Sequence, residues 1–311
     1  MHDLAIIIPA YKIDFFEKTL QSISSQTCKN FTLYVGDDNS GNDFVSIIDK
    51  YKDIIDIKYH KFTDNLGATN LVGQWSRCVD LTEGEKWLWL FSDDDVLEDR
   101  CVEMFYKTIA ENPNHDIYHF NINIIDEDNQ VISKPTAYPK TIDSITFYLK
   151  KSSGVLDSFV VEYIFTRKIY EEVGGFQNFD LAWGSDIATW IKMSSNRGIC
   201  TIPDALVFWR QSSVNITPTY DRNVVLRKLS AEVSYWVWIK SFFNDVNINW
   251  HIKRMICKHL AFYSQSINNN DVSLFLVKAF KNTLINRFEL WIIYLIYPLL
   301  KLCKTIKMIV K

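Results

Sequence analysis

The run Leu4-Ala5-Ile6-Ile7-Ile8 is continuously apolar and stops at Pro9, the pattern of a short strand buried on both faces. Phe15, Leu20 and Ile23 follow at helical spacing. Phe31 to Val35 is a second apolar run, ended by Gly36-Asp37-Asp38-Asn39-Ser40-Gly41. The same alternation predicts a helix near 43–52, a strand near 55–60 and a helix near 68–80. It then predicts the strand Trp87-Leu88-Trp89-Leu90-Phe91, ending at Ser92-Asp93-Asp94-Asp95 ahead of a helix from about Glu98. Strands and helices in alternation predict a mainly parallel α/β sheet flanked by helices. Asp116 to Ile125, Phe159 to Phe165 and Leu206 to Trp209 also read as strands, Gly174-Gly175-Phe176 breaks the chain, and a helix is expected near 185–196. From about Tyr220 the pattern is helical only, so three regions are expected: 1–110, 111–219 and a helical 220–311.

Composition narrows the class. An apolar fraction of 48% with 23% charged residues excludes a disordered or fibrous chain. With 34 Lys and Arg against 37 Asp and Glu, no overall basic field argues for nucleic acid. The distribution is uneven: residues 240–311 carry 11 basic against 3 acidic side chains, and residues 1–239 carry 23 against 34. The six cysteines show no CxxC pair, so reduced thiols are expected rather than a zinc ribbon. The N-terminus lacks the basic and apolar regions of a secretory signal, which points to the cytoplasm. On that reading Asn215-Ile216-Thr217 is an unused sequon in a loop.

Two acidic clusters stand immediately after expected strands, and in open parallel sheets the carboxyl ends of strands form the ligand crevice. Three consecutive carboxylates, Asp93-Asp94-Asp95, repel one another unless a cation or donors compensate, and hard oxygen ligands suit Mg²⁺ or Mn²⁺. The same triplet also reads as a solvated turn capping the next helix. Asp37-Asp38 reads either as a turn or as an acceptor for a base or ribose, and Tyr11 either as a packed aromatic or as a stacking platform.

Taken together, Ile6-Ile7-Ile8-Pro9-Ala10-Tyr11, Gly36-Asp37-Asp38-Asn39-Ser40, Asn65-Leu66-Gly67 and Gly84-Glu85 leading into Ser92-Asp93-Asp94-Asp95 resemble the family 2 inverting glycosyltransferases of the GT-A fold. The resemblance covers about residues 3–215. It implies a nucleotide site at Pro9, Tyr11 and Asp38, with Tyr11 stacking on the base and Asp38 hydrogen-bonding it, and Asp93 near the ribose. Asp94 matches the metal-binding carboxylate of the DxD motif, for Mn²⁺ or Mg²⁺. Ser92 departs from that motif's commonest form, where aspartate stands. Gly174-Gly175-Phe176 followed by Trp183-Gly184-Ser185-Asp186 looks like the family's stretch ending in a catalytic acid, so Asp186 matches the general base, with Ser185 replacing the more usual acidic residue. Arg210-Gln211-Ser212-Ser213 resembles a segment near the diphosphate, which makes Arg210 a candidate phosphate clamp or a surface salt bridge. Trp190, four residues after Asp186 on one helix face, is a candidate floor for the acceptor or a core tryptophan.

The tail adds a membrane expectation. Leu290 to Leu300 is an apolar run of 11 residues, short of the roughly 20 needed to span a bilayer. Lys301, Lys304, Lys307 and Lys311 follow among Leu302, Ile306, Met308 and Ile309, the pattern of a basic interfacial helix on an anionic membrane; packing on the domain or on a partner is the alternative. The expected activity is inverting transfer of one sugar from a nucleotide-sugar donor, a UDP-sugar, to a glycan or lipid-linked acceptor at the inner membrane face, as in O-antigen or capsule assembly. An inactive sugar- or nucleotide-binding protein on the same scaffold, a purely structural membrane-associated scaffold, and a nucleotidyltransferase are the alternatives. The last lacks its glycine-rich phosphate loop in Pro9-Ala10-Tyr11-Lys12.

Overall fold

The computed structural model describes residues 2–212 and 221–309, with side chains to Leu299 and at Lys301; the sequon at Asn215 and the side chains of Lys304, Lys307 and Lys311 lie outside the described residues. The chain divides into two compact units, one holding the residues up to Asn178 with Asp186–Ser212, the other Phe179–Ser185 with the C-terminal helices.

The first unit is built on one ten-stranded sheet. Its first half alternates β1 (Leu4–Ala10), α1 (Phe16–Ser24), β2 (Thr32–Asp37), α2 (Phe44–Ile48), β3 (Asp56–Lys61), α3 (Leu71–Val79) and β4 (Trp87–Leu90). β1 lies parallel between β2 and β4, with Leu4, Ala5, Ile6, Ile7 and Ile8 all fully buried, as a strand covered on both faces requires. Then come β5 (Val96–Leu97), α4 (Cys101–Glu111), β6 (Ile117–Ile125), β7 (Val131–Ser133), β8 (Thr141–Ile142), α5 (Ser144–Ser153), β9 (Tyr163–Thr166), α6 (Arg167–Glu172), α7 (Ser185–Met193) and β10 (Ile199–Arg210). The strand order is β3-β2-β1-β4-β9-β6-β10-β5.

The α/β architecture expected above is what the chain adopts: β3, β2, β1 and β4 run parallel and so do β6 and β10, while β9 is inserted antiparallel between β4 and β6 and the short β5, β7 and β8 also pair antiparallel. β9 thereby hydrogen-bonds both to β4, before residue 110, and to β6, after it. β10 is longer than the expected 206–209: it begins at Ile199 beside β6 and shifts register between Ile202 and Leu206, where Asp204 takes φ 58°. Caps set several helix starts: Asn70 accepts from the Gly73 amide at α3, Asp143 from Thr146 at α5 and Thr166 from Ile169 at α6.

In the second unit, α8 (Arg222–Phe242), α9 (Asn249–Phe262), α10 (Asn269–Lys281) and α11 (Arg287–Ile309) form a helical array. α8 opens on the Asp221 cap, and α10 on a capping box between Asn268 and Asp271. α8 also fastens the segment that precedes Asp186 in sequence. Arg227 forks onto Asp180 (2.6 Å), the Trp183 indole donates to Glu232 (2.6 Å), and Gly184, at φ +79°, lies so close to Tyr235 that a Cβ would come within 3.2 Å.

Candidate active site

The sheet order runs outward from β1 to β2 and β3 on one side and to β4 on the other, so the carboxyl ends of β1 and β4 flank a topological switch point. Register carries three motifs there: Ala10 pairs with Asp37, the Asp38 amide donates to the Ala10 carbonyl (2.9 Å), and the Phe91 amide to the Ile7 carbonyl (2.8 Å). Tyr11-Lys12, Asp37-Asp38 and Ser92 to Asp95 therefore share one edge of the sheet.

The two members of Asp37-Asp38 have different work. Asp37 is fully buried and accepts from the Tyr59 hydroxyl (2.8 Å) and the Ser40 amide (2.9 Å), fixing the turn. Asp38 reaches the other way and accepts from the amides of Leu66 (2.9 Å) and Gly67 (2.8 Å) and from Arg77 (2.5 Å). Gly67 is required because a Cβ there would lie 2.5 Å from the Asp38 carboxylate. Arg77 also binds Asp64 (2.8 Å) and lies over the Phe62 ring at 3.9 Å, a planar cation held against an aromatic face. Arg77 was outside the sequence-derived site, because its link to Asp38 spans 39 residues.

Tyr11 is 48% exposed, free to offer its ring as a stacking face, while its backbone is clamped: its amide and that of Lys12 both donate to Asp93 (2.7 and 2.6 Å), and its carbonyl accepts from Asn42 (2.8 Å). Pro9 is partly exposed at the end of β1. Asp93 holds the loop after β1 from beneath. Burial, reinforced by the neighbouring Asp94, raises its carboxyl to about 6 against the pull of Lys12 and the two amides. Burial and Asp94 likewise push Asp95 well up. Burial pulls the Lys12 ammonium down, but attraction to Asp93 and Asp94 prevails and its pKa is raised. Lys12 forms an ion pair with Asp94 and stands 3.7 Å from Asp93.

The Ser92 hydroxyl donates into the triplet, to Asp94 (2.9 Å) and Asp95 (2.6 Å). Arg210 completes it from β10, its amide donating to Asp95 (2.6 Å) and its Nε to the Asp94 carbonyl (2.7 Å). Its Nη groups reach the Asp126 carbonyl (2.7 Å) and Asn129 (2.6 Å), and the guanidinium lies 4.4 Å over Phe15. It is fully buried and committed to protein acceptors, so the surface salt bridge considered for it is ruled out.

This donor set decides how a divalent cation can be held. Asp93 is turned onto backbone amides and Asp95 onto Ser92 and Arg210, and among the described residues no group of three or more His, Cys, Asp or Glu is arranged around one point. Asp93 stands 3.7 Å from the Lys12 ammonium, and the Asp94 carboxylate bonds it directly. The residues fit a cation carried on the Asp94 carboxylate and otherwise ligated by diphosphate and water.

Asp186 is half-buried in the first turn of α7. Burial raises its carboxyl, opposed by the Ile187 amide and the charge of Lys151. Glu162, missed in the sequence because it sits inside an apolar strand approach, is fully buried; it accepts from the Phe159 amide (2.8 Å), and burial together with the charge of Asp186 raises it well above the carboxylate range. Trp190 is corrected to a core residue: at 1% exposure, stacked on Tyr163 at 4.6 Å, it has no accessible face to offer an acceptor.

Comparison with known proteins agrees with this geometry. Residues 5–174 match Glycosyl transferase family 2, more than half of the chain. An uncharacterized glycosyltransferase of Rickettsia conorii is 25% identical over 211 residues, which are 63% of this chain and 31% of that protein; the chain thus spans about a third of the length of this relative. Among solved structures, Staphylococcus aureus TarS residues 1–349 in complex with UDP-GlcNAc superposes with a TM-score of 0.61 at 12% identity, covering 96% of this chain and 92% of that one. The mannosyltransferase PcManGT of Pyrobaculum calidifontis, in complex with GDP-Man and Mn²⁺, gives 0.52 at 14% identity, covering 98% and 87%. With the GT-A fold and the motif-bearing strand ends in place, the chain belongs to glycosyl transferase family 2.

Proposed function

We propose that the protein transfers one sugar, with inversion, from a nucleotide-sugar donor, a UDP-sugar, to a hydroxyl of a glycan or lipid-linked acceptor in cell-surface polysaccharide synthesis. The observation that carries this reading is the switch-point crevice, where an exposed Tyr11, a fixed Asp38 and the clamped acidic turn meet at one sheet edge. Tyr11 stacks on the base, Asp38 accepts from it, Pro9 shapes the strand end beneath it, and Asp93 lies toward the ribose. Asp94 holds a divalent cation, Mn²⁺ or Mg²⁺, which when bound neutralises charge on the departing diphosphate. Asp186 takes the proton of the acceptor hydroxyl as its oxygen bonds to the anomeric carbon and the bond from that carbon to the diphosphate breaks. Arg210 is a positioning residue, holding the acidic turn rather than touching phosphate. TarS, solved with UDP-GlcNAc, supports a UDP donor.

The test is thermal unfolding with UDP, GDP, dTDP and CDP, each with and without Mn²⁺. A ligand at about a hundredfold over its dissociation constant stabilises the folded state by roughly 2.7 kcal/mol. A shift selective for UDP and enlarged by Mn²⁺ is expected. A flat response to all four diphosphates would move the reading to an inactive scaffold.

The acceptor side of the proposal rests on α11. Among the described residues no helix is long and apolar enough to cross a membrane. α11 buries Ile293 and Tyr297 and leaves Phe288, Trp291, Ile292, Leu295 and Leu299 exposed, one apolar stripe at helical spacing with an exposed Lys301 just beyond it. Such a face, in a region with eight excess positive charges, suits the cytoplasmic surface of the inner membrane, where a lipid-linked acceptor is reached from a peripheral position. The double variant Trp291→Glu and Leu295→Glu, at exposed sites, is expected to release the protein from vesicles containing anionic lipid while leaving its unfolding temperature within about 2 °C. Undiminished vesicle sedimentation would refute the interfacial role of α11.

A further inference from the structure

Asp93, Asp94 and Asp95 are 4%, 5% and 1% exposed, so three buried carboxyls crowd the crevice edge at which a diphosphate, itself an anion, would arrive. Arg210 does not relieve this at the surface, since its guanidinium is buried against carbonyls and Asn129. Among the described residues, Lys12 is the one side-chain cation that forms ion pairs with Asp93 and Asp94. Its construction suits a movable charge. The Lys12 amide is fixed by Asp93 at 2.6 Å, which anchors its root at the carboxyl end of β1, while its side chain remains 27% exposed on a flexible four-carbon stem.

We propose that Lys12 is a built-in counter-cation for the donor diphosphate: it neutralises Asp94 while the crevice is empty of ligand, and donates to a phosphate oxygen when a nucleoside diphosphate binds. The proposal rests on the donor-crevice reading of the previous subsection. Two consequences follow from one ammonium serving both partners. Part of the affinity for the diphosphate is independent of divalent metal, and Lys12 competes with metal for Asp94 until nucleotide draws it away.

The test measures binding of UDP and of uridine by calorimetry to wild type, Lys12→Gln and Lys12→Arg, in EDTA and in saturating Mn²⁺. Wild type should bind UDP measurably in EDTA. Lys12→Gln should lose about 10-fold or more of that affinity, as removal of one charge-assisted hydrogen bond predicts, lose clearly less in Mn²⁺, and bind uridine as wild type does. Lys12→Arg should restore most of the loss. Without nucleotide, Lys12→Gln should take up Mn²⁺ more tightly than wild type, read from the free-ion electron paramagnetic resonance signal. Equal losses for UDP and uridine would make Lys12 a structural residue and overturn the proposal. Wild-type UDP affinity that vanishes in EDTA, or a Lys12→Gln protein indistinguishable from wild type, overturns it as well. Those outcomes leave the donor-crevice reading standing; that reading fails separately if wild type binds none of UDP, GDP, dTDP and CDP under either condition.

Discussion

Asp186→Asn is expected to lower the rate of sugar transfer by about 10²–10⁴-fold, the usual contribution of a positioned general base, while nucleoside diphosphate affinity stays within about twofold. The substitution keeps the size of the side chain but replaces a basic carboxylate oxygen by an amide that cannot take up the proton. The group sits in the first turn of α7, an element other than the strand end that carries Asp94, and has no part in the proposed donor contacts. The pH profile supplies a second readout. Burial raises the Asp186 carboxyl above its ordinary value. A base acts only when ionised, so activity should be present above that raised pKa and lost as pH falls through it, with an acid limb at higher pH than an ordinary aspartate gives. The residual activity of Asp186→Asn should lack this limb. A variant that lost diphosphate binding along with transfer would show that Asp186 belongs to the donor site.

The parts legible in the sequence were those in which one local pattern has one structural meaning. β1, β2 and β4 are apolar on both faces, which is only possible inside a covered sheet, and their polar ends marked the crevice edge. β9 was visible as a strand but not in its direction: burial on both faces reads alike whichever way the chain runs, and β9 is antiparallel to both neighbours. β5 and β8, of two residues each, are too short for any periodicity, and α5 buries only Ser144, Phe147 and Tyr148 in the stretch 126–160.

In the site the divide has the same cause. Tyr11, Asp38, Asp93 and Asp94 could be singled out as candidates because each stands beside a strand end. Lys12 could not, because its pairing lies 82 residues away, and Arg77, readable from its helix either as reaching the base or as facing solvent, is tied to Asp38, 39 residues distant, by a link that no local pattern shows. Trp190 was ambiguous by position alone, since the spacing that puts it on the face of Asp186 also points it into the aromatic layer of Tyr163 and Phe165.

Arg210 yields the largest expected effect on stability, and its environment explains why. A phosphate clamp would stand exposed in the crevice and its loss would leave the ligand-free protein unchanged. Arg210 is instead fully buried, sandwiched on Phe15, and joins two turns: it donates to the Asp94 carbonyl at the end of β4, and to the Asp126 carbonyl and Asn129 in the turn between β6 and β7. Arg210→Met retains much of the packing volume but leaves those acceptors without donors, with Lys12 the remaining cation beside the buried Asp94. Breaking such a buried arrangement from one side costs about 3–5 kcal/mol, which for a unit of this size lowers the unfolding temperature by roughly 10 °C. Arg210→Lys should recover little, since an ammonium cannot span both turns as the planar fork does. The measurement is thermal unfolding without ligand. A ligand-free protein of unaltered stability that had lost UDP affinity would return Arg210 to the phosphate. The predicted loss of stability would instead mean that the acidic turn and the turn beginning the 126–160 segment are set by one buried cation, so that the donor edge and the start of the acceptor-side loops keep a fixed geometry before any substrate arrives.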